Sequence, residues 1–153
     1  MTNGASGSRF RFRRPESVLV LVAVVAGPVL LLERRTPPGL WQSVTGSLRW
    51  GETAAAAAAR ELAEETGIEA AGRIEDLGSG ARFRILAAWR HRFAPGVVDN
   101  DEHWFRLWLD RPVAVRLAPR EHGRFAWVSP TQAAARVFSW SNRAAIERYL
   151  ARD

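Results

Sequence analysis

A chain of 153 residues with 47% apolar and 25% charged residues has the length and composition of one globular domain, not of a disordered segment. It contains no cysteine, which excludes disulfides, thiol catalysis and Cys-based zinc sites. All 22 basic residues are arginine, against 16 acidic ones, and the net charge of +6 favours phosphorylated partners without choosing between a polymer and a small molecule.

Residues 1–12 open with the small, polar "MTNGASGS" and are expected to form a disordered tail ahead of a single domain over 13–153. The run "VLVLVAVVAGPVLLL" (18–32), preceded by the basic "RFRFRR", is the one segment with the look of a leader peptide or membrane element. It is shorter than the roughly 18–20 residues a spanning helix needs, and Gly27-Pro28 divides it. Two Val-rich halves around a turn predict paired buried strands over 16–26 and 28–34, with no membrane partner.

"TPPGLW" (36–41) reads as a loop. A helix of about 53–66 follows, closed by Gly67 as its C-terminal cap. Strands are expected near 69–79 and 82–93, then a loop at 94–101. "HWFRLWLD" (103–110) alternates as a strand should, and "PVAVRL" (112–117) predicts another. "REHG" (120–123) turns the chain into a strand at 124–128. Ser129-Pro130 starts a helix of about 130–137, and Ser141 is expected to cap a last helix, 142–152, with Ala145, Ile146, Tyr149 and Leu150 as its apolar stripe. No repeat or interior linker interrupts the pattern, so the prediction is one α+β domain.

Chemistry enters at "RELAEETG" (60–67). On a helix, Glu61 and Glu65 occupy adjacent turns of one face, with Glu64 beside them. Left bare they repel by roughly 0.2–0.5 kcal/mol per pair, and an isolated Glu-Glu is usually just a solvated helix face. Carboxylates are also hard oxygen ligands for Mg²⁺ or Mn²⁺, and a cation between them turns repulsion into attraction. Arg60 has the fork to hold Glu52 or Glu64. Gly46 and Gly67 permit loop and cap conformations that a Cβ would hinder. Ala55, Ala58, Ala59 and Leu62 are expected on the opposite stripe, against a sheet.

From Gly46 through Glu52 to "RELAEETGI" (60–68), every specified position and spacing resembles the Nudix box, the signature of hydrolases that cleave a nucleoside diphosphate linked to another moiety. The resemblance implies an α/β/α sandwich with a mixed sheet and a catalytic loop–helix–loop, acting in the cytoplasm as a pyrophosphohydrolase. It implies Glu61 and Glu65 as ligands of Mg²⁺, with Mn²⁺ able to substitute. Arg60, Glu61 and Glu64 are the catalytic candidates, Glu64 sharing metal or base duty and the identity of the base left open.

Outside the box, "RRPESVLVLV" (13–22), "LWQSVTGSLRWGET" (40–53), "WRHRFAPGV" (89–97), "REHGRFAWV" (120–128) and "SWSNRAAIERYL" (139–150) resemble the bacterial branch of that superfamily that acts on dihydroneopterin triphosphate in folate biosynthesis. That likeness implies Glu121 as a third carboxylate on the metal. It implies Arg13, Arg34, Thr45, Ser139 and the segment Phe83, Arg84, Ile85, Leu86 as substrate contacts. Without it, Glu121 is a loop charge, Arg13 and Arg34 are surface arginines, Thr45, Phe83 and Ile85 are strand residues, and Ser139 caps a turn.

Of Trp41, Trp89, Trp104 and Trp140, one or two are expected to stack on a ring and the rest to be core. His91, His103 and His122 receive no role. "VVDNDEH" (97–103) is more acidic than the resemblance leads one to expect, and bears on substrate preference if it borders the pocket. The expected partner is a small-molecule triphosphate, not a nucleic-acid polymer, and no residue pattern speaks to oligomeric state. Three other readings compete: hydrolysis of ordinary or oxidised nucleoside triphosphates, nucleotide sensing without catalysis, and RNA binding through "RFRFRR". The complete set of box carboxylates argues against a sensor.

Overall fold

Valine and leucine fill the first two strands without alternation because both of their faces are covered. The computed structural model describes residues 11–150; positions 1–10, which hold most of the expected tail, and 151–153 lie outside the described residues. β1 (Glu16–Val24) and β2 (Val29–Arg34) are buried along nearly their whole length. Ala26, with φ 55°, takes the left-handed position of the turn between them.

The remaining strands are β3 (Trp41–Gln42), β4 (Val44–Ser47), β5 (Glu75–Arg84), β6 (Asp99–Leu109) and β7 (His122–Val128). These seven strands of the described residues form one mixed sheet along the path β3-β2-β1-β6-β5, with β4 on β1 and β7 on β2. β1 and β6 run parallel; the other pairs are antiparallel.

Among the described residues three helices cover the sheet: α1 (Ala54–Thr66), α2 (Pro130–Arg136) and α3 (Trp140–Tyr149). Val18, Val20 and Val22 face α1 through Ala57, Ala58 and Leu62. Leu19, Leu21 and Ala23 face α2 and α3 through Ala133, Ala145 and Ile146. The layers are helix, sheet, helix, the expected sandwich. Among the described residues no helix is long and apolar enough to cross a membrane.

The predicted caps of α1 are present: Thr53 Oγ1 accepts from the Ala56 amide at 3.1 Å, and Gly67 takes φ 76°. Elsewhere boundaries move. The two strands predicted at 69–79 and 82–93 are one strand, β5, followed by a 3₁₀ turn at Ala87–Arg92, where "LAAWRH" loses alternation. β6 begins at Asp99, inside the predicted loop. "PVAVRL" is not a strand: Arg116 N–H bonds the Thr66 carbonyl at 2.8 Å, so this segment crosses the end of α1 with Val115 and Leu117 on the core. Ser139, not Ser141, caps the last helix, and Ser141 is buried in its first turn. The buried face of α1 is also rotated from the predicted stripe, since Ala55 is exposed while Glu61 and Glu65 are buried beside Leu62.

Candidate active site

Between β4 and α1 the chain is held in a tight loop by Arg60. Its Nε and Nη2 each reach a Glu52 oxygen at 2.8 Å, Nη2 also reaches the Ser47 carbonyl at 3.1 Å, and Nη1 lies 3.2 Å from Glu61 and 3.3 Å from Glu64. Glu52 Oε1 additionally accepts from the Arg49 amide at 2.9 Å. These charge-assisted bonds, that with Arg60 foremost, hold the Glu52 carboxyl down at about 2. Arg14 closes the loop from outside, donating to the carbonyls of Arg49 and Glu52 at 3.0 and 2.9 Å.

Glu61 and Glu65 are the buried end of this assembly, 8% and 2% exposed. Glu61 lies flat over Gly46, where a Cβ would run into its carboxyl group. The two carboxyl groups are within hydrogen-bonding reach of each other, and the Thr45 amide donates to Glu65. Desolvation first, and for Glu65 then the charge of Glu61, pushes both pKa values up, Glu65 strongly. Glu121 adds its negative charge to both.

Two features prepare this cluster for a cation. Among the described residues Glu65 Oε1 is buried without a hydrogen-bond partner, as is His122 Nδ1, 3.9 Å away. His122 Nε2 faces Gln42 Nε2 at 3.0 Å, so with the amide as donor the imidazole proton sits on Nδ1; desolvation, then Arg34, lowers its pKa to about 4 and keeps it neutral. A buried orphan carboxylate oxygen beside two more carboxylates fits a hard divalent ion. Among the described residues, however, no three acidic or histidine groups already converge as a finished metal cluster. Glu121, exposed on its loop, is brought near by its carbonyl, which accepts from the Arg35 amide at 2.8 Å where β2 and β7 shift register.

Around the acidic cluster opens a cleft of about 880 Å³. Arg13, Arg34, Thr45, Arg60, Glu61, Phe83, Arg84, Ile85, Leu86, Glu65, Glu121 and Ser139 all line it. Glu64 alone of the predicted site residues does not; it is exposed and tied to Arg60 and to Arg49, the latter at 3.6 Å. Ser139 lines the cleft while also capping α3, its Oγ accepting from the Asn142 amide at 3.1 Å.

Arg34 Nε is buried with no partner among the described residues, its guanidinium stacked 5.0 Å from the Trp89 ring centre. Burial, then Arg92, lowers the pKa values of both Arg13 and Arg34, so three arginines crowd one wall.

The tryptophans divide. Trp89 and Trp140 line the cleft, Trp104 is core against Tyr149, and Trp41 is flanked outside it by Arg124 and Arg136. Gln42 and Asn100 line the cleft without a sequence expectation. Within the acidic run 97–103, expected to bear on substrate preference if it borders the pocket, Glu102 does border it. His122, assigned no role from sequence, lines the cleft too. Strand period carried a signal for Asn100 and Glu102, which share the face of β6 that Trp104 occupies.

Comparison with known proteins gives the family and the fold. The Nudix domain family matches residues 13–149. The chain is 43% identical over 143 residues to dihydroneopterin triphosphate diphosphatase of Escherichia coli K12, covering 91% of this chain and 94% of that protein. The protein of the same name from Haemophilus influenzae is 33% identical over 144 residues, covering 92% and 90%. Superposed on the structure of the E. coli dihydroneopterin triphosphate pyrophosphohydrolase, the fold gives a TM-score of 0.84 at 41% identity, over 91% of this chain and 97% of that one. The chain belongs to the Nudix family.

Proposed function

We propose that this protein hydrolyses 7,8-dihydroneopterin 3′-triphosphate to dihydroneopterin monophosphate and pyrophosphate. One observation carries the reading: a single cleft holds an orphan buried acceptor, Glu65 Oε1, and an orphan buried donor, Arg34 Nε. An acceptor beside carboxylates suits a cation, and a donor among arginines suits a phosphate. The identity to the two diphosphatases over nearly their full lengths supports the choice of substrate.

In this reading Glu61, Glu65 and Glu121 hold Mg²⁺, with Mn²⁺ as a substitute. When bound, the ion supplies the positive charge that neutralises the phosphate bridge and activates water. Arg13 and Arg34 grip the phosphates from the other wall, with Thr45 and Ser139 contacting the substrate beside them. The segment Phe83–Leu86 borders the ring. Water adds across the bridge between the α- and β-phosphorus atoms; the P–O bond breaks, the α-phosphorus stays with the pterin and the outer two phosphates leave together. Arg60 takes no proton; it fixes Glu52 and Glu61 so that the carboxylates do not reorganise. Glu64, exposed and tethered by Arg60 outside the cleft lining, shares metal or base duty in this reading, with the identity of the base left open. A free small-molecule substrate is consistent with a cytoplasmic enzyme without a nucleic-acid partner.

Pyrophosphate release with Mg²⁺ tests the reading, comparing dihydroneopterin triphosphate with the common nucleoside triphosphates and using Glu65→Gln as the inactive control. A higher kcat/KM for any nucleotide would overturn the substrate assignment.

A further inference from the structure

A buried histidine stands behind the acidic cluster, and the hydrolysis proposed above gives it no task. His122 opens β7 and is 4% exposed, and Gln42 on β3 is 5% exposed. They reach each other from opposite sides of β2, Gln42 in register with Leu32 and His122 with Arg34. Leu32 and Arg34 share one face of β2, the face that meets α1 through Leu62. A bulge is what turns His122 to that face. Arg124 lies opposite Glu33 and pairs with it at 2.6 Å, and in a regular strand His122 would point the same way as Arg124. The register slips between Glu33 and Arg34, so His122 lies opposite Arg34 instead.

The donors and acceptors around the ring can be counted. The Gln42 amide nitrogen, 3.0 Å from His122 Nε2, only donates, so Nε2 accepts and the ring proton sits on Nδ1. Burial, then the charge of Arg34, keeps a second proton off the ring. Nδ1–H is therefore a buried donor with no partner among the described residues. The group it faces is Glu65 Oε1, 3.9 Å away, equally buried and equally without a partner. That distance is too long for a hydrogen bond, and each group costs free energy while unmet.

A cation on Glu65 gives both groups a reason to close. An N–H gains more from an acceptor with a full negative charge, and bonds within a site are commonly long until its ligands arrive. One carboxylate oxygen has two lone pairs, enough for an ion on one and a supporting donor on the other.

Building on the metal site proposed above, we propose that His122 is a positioning residue: its Nδ1–H, turned toward α1 by Gln42, donates to Glu65 Oε1 and holds that carboxylate aimed at the cation. Gln42, His122 and Glu65 form one chain from β3 through β7 to α1.

Two measurements test it. The chain has three histidines, so nitrogen-15 NMR of wild type resolves each tautomer, with His122 identified by its loss in His122→Asn. The Nδ1–H form is expected, its proton moving downfield when Mg²⁺ is added; an Nε2–H form, or no movement, overturns the proposal. The second measurement is the Kd for Mn²⁺ alone, read from the paramagnetic resonance of the free ion. Asparagine branches where the imidazole does, so its amide takes the place of Nδ1, whereas glutamine reaches only the place of Nε2. His122→Asn should bind Mn²⁺ within about threefold of wild type, and His122→Gln about tenfold or more weakly. Equal weakening of both variants marks a merely structural role and overturns the proposal, as does no weakening in either. Circular dichroism checks that both variants are folded, and the tautomer measurement needs neither of them to be stable. If Glu65→Gln binds Mn²⁺ as tightly as wild type, the metal site falls and takes the proposal with it. If Glu65→Gln loses the ion and His122→Gln does not, the proposal alone falls.

Discussion

Arg60 and Glu52 face each other fork to fork across the loop that opens α1, both bonds 2.8 Å. The pair joins the first residue of the helical signature to the loop that precedes it, and Ser47 and Glu61 share the same guanidinium. A lysine has the charge but not the geometry to hold them together. Arg60→Lys is expected to lower kcat by about a hundredfold while costing about 1.5–3 kcal/mol of stability. Steady-state kinetics beside urea denaturation separates the two effects; an unchanged kcat would remove Arg60 from the site.

The same pair sets an acid limit on stability. Glu52 sits at about 2 in the fold against an ordinary 4.5, so the folded state releases this proton more readily than the unfolded chain. Its contribution is complete above pH 4.5 and drains away as pH falls toward 2. Glu52→Gln should therefore destabilise the protein at neutral pH, by about 1.5–3 kcal/mol, and hardly at all near pH 2. Denaturation midpoints of both proteins across that range decide it: curves that stay parallel contradict the pairing.

Glu65 has the opposite sign. Its pKa is raised by burial and by Glu61, so without metal the folded state holds the proton more tightly, and stability falls as pH rises through the raised value. Metal-free protein should gain stability on going from pH 8 toward 5, and Glu65→Gln should flatten that slope and raise the midpoint at pH 8 by the equivalent of about 1–2 kcal/mol. Mg²⁺ should then stabilise wild type and not the variant. Equal stabilisation of both by Mg²⁺ would show that Glu65 is not a ligand. Function here opposes stability, as expected of an acidic cluster kept for a cation.

Much of this was legible in the chain because it lies in fixed local spacing. Thr53, Gly67 and the three glutamates of α1 follow from helix period and caps, and β1 and β2 from an apolar run broken by a turn. What sequence reading misplaced depends on partners distant in the chain. "PVAVRL" has strand composition but spends its Arg116 amide on Thr66, and residues 87–92 leave the sheet to carry Trp89 under Arg34. The buried face of α1 was misjudged because burial of Glu61 and Glu65 is a choice against hydrophobicity, legible only from what packs over them. The acidic run 97–103 is legible as a pocket border, but that Glu102 is its member on the cleft shows only where Asp99 and Asp101 pair instead with Arg84 and Arg82.

Gly46 tests the packing of the acidic pair directly. Its backbone is fixed in the sheet opposite Val18, so it cannot retreat, and the Cβ of an alanine would occupy the space of the Glu61 carboxyl. Gly46→Ala should push that group aside, weakening Mg²⁺ binding and lowering kcat/KM by about a hundredfold or more. Circular dichroism should remain that of wild type. Retained activity would mean that Glu61 works from another position.

Arg34 makes the last prediction, because one side chain does three things at once. Its guanidinium stacks 5.0 Å from the centre of Trp89, its Nε is buried without a partner among the described residues, and Arg92 also lies over the same ring at 5.9 Å. An arginine held between an aromatic face and a second arginine is poised, not satisfied: like charges oppose it and a phosphate oxygen would relieve it. Phosphate binding should therefore perturb the ring, and Trp89 should report it. Pyrophosphate added to wild type is expected to change tryptophan fluorescence, and Trp89→Phe should lose most of that change. Arg34→Lys keeps one charge but loses the planar fork and the stack, so kcat/KM should fall by about ten- to hundredfold with kcat reduced as well as KM raised. A change in KM alone would make Arg34 a docking residue whose contact is equally strong before and during the reaction.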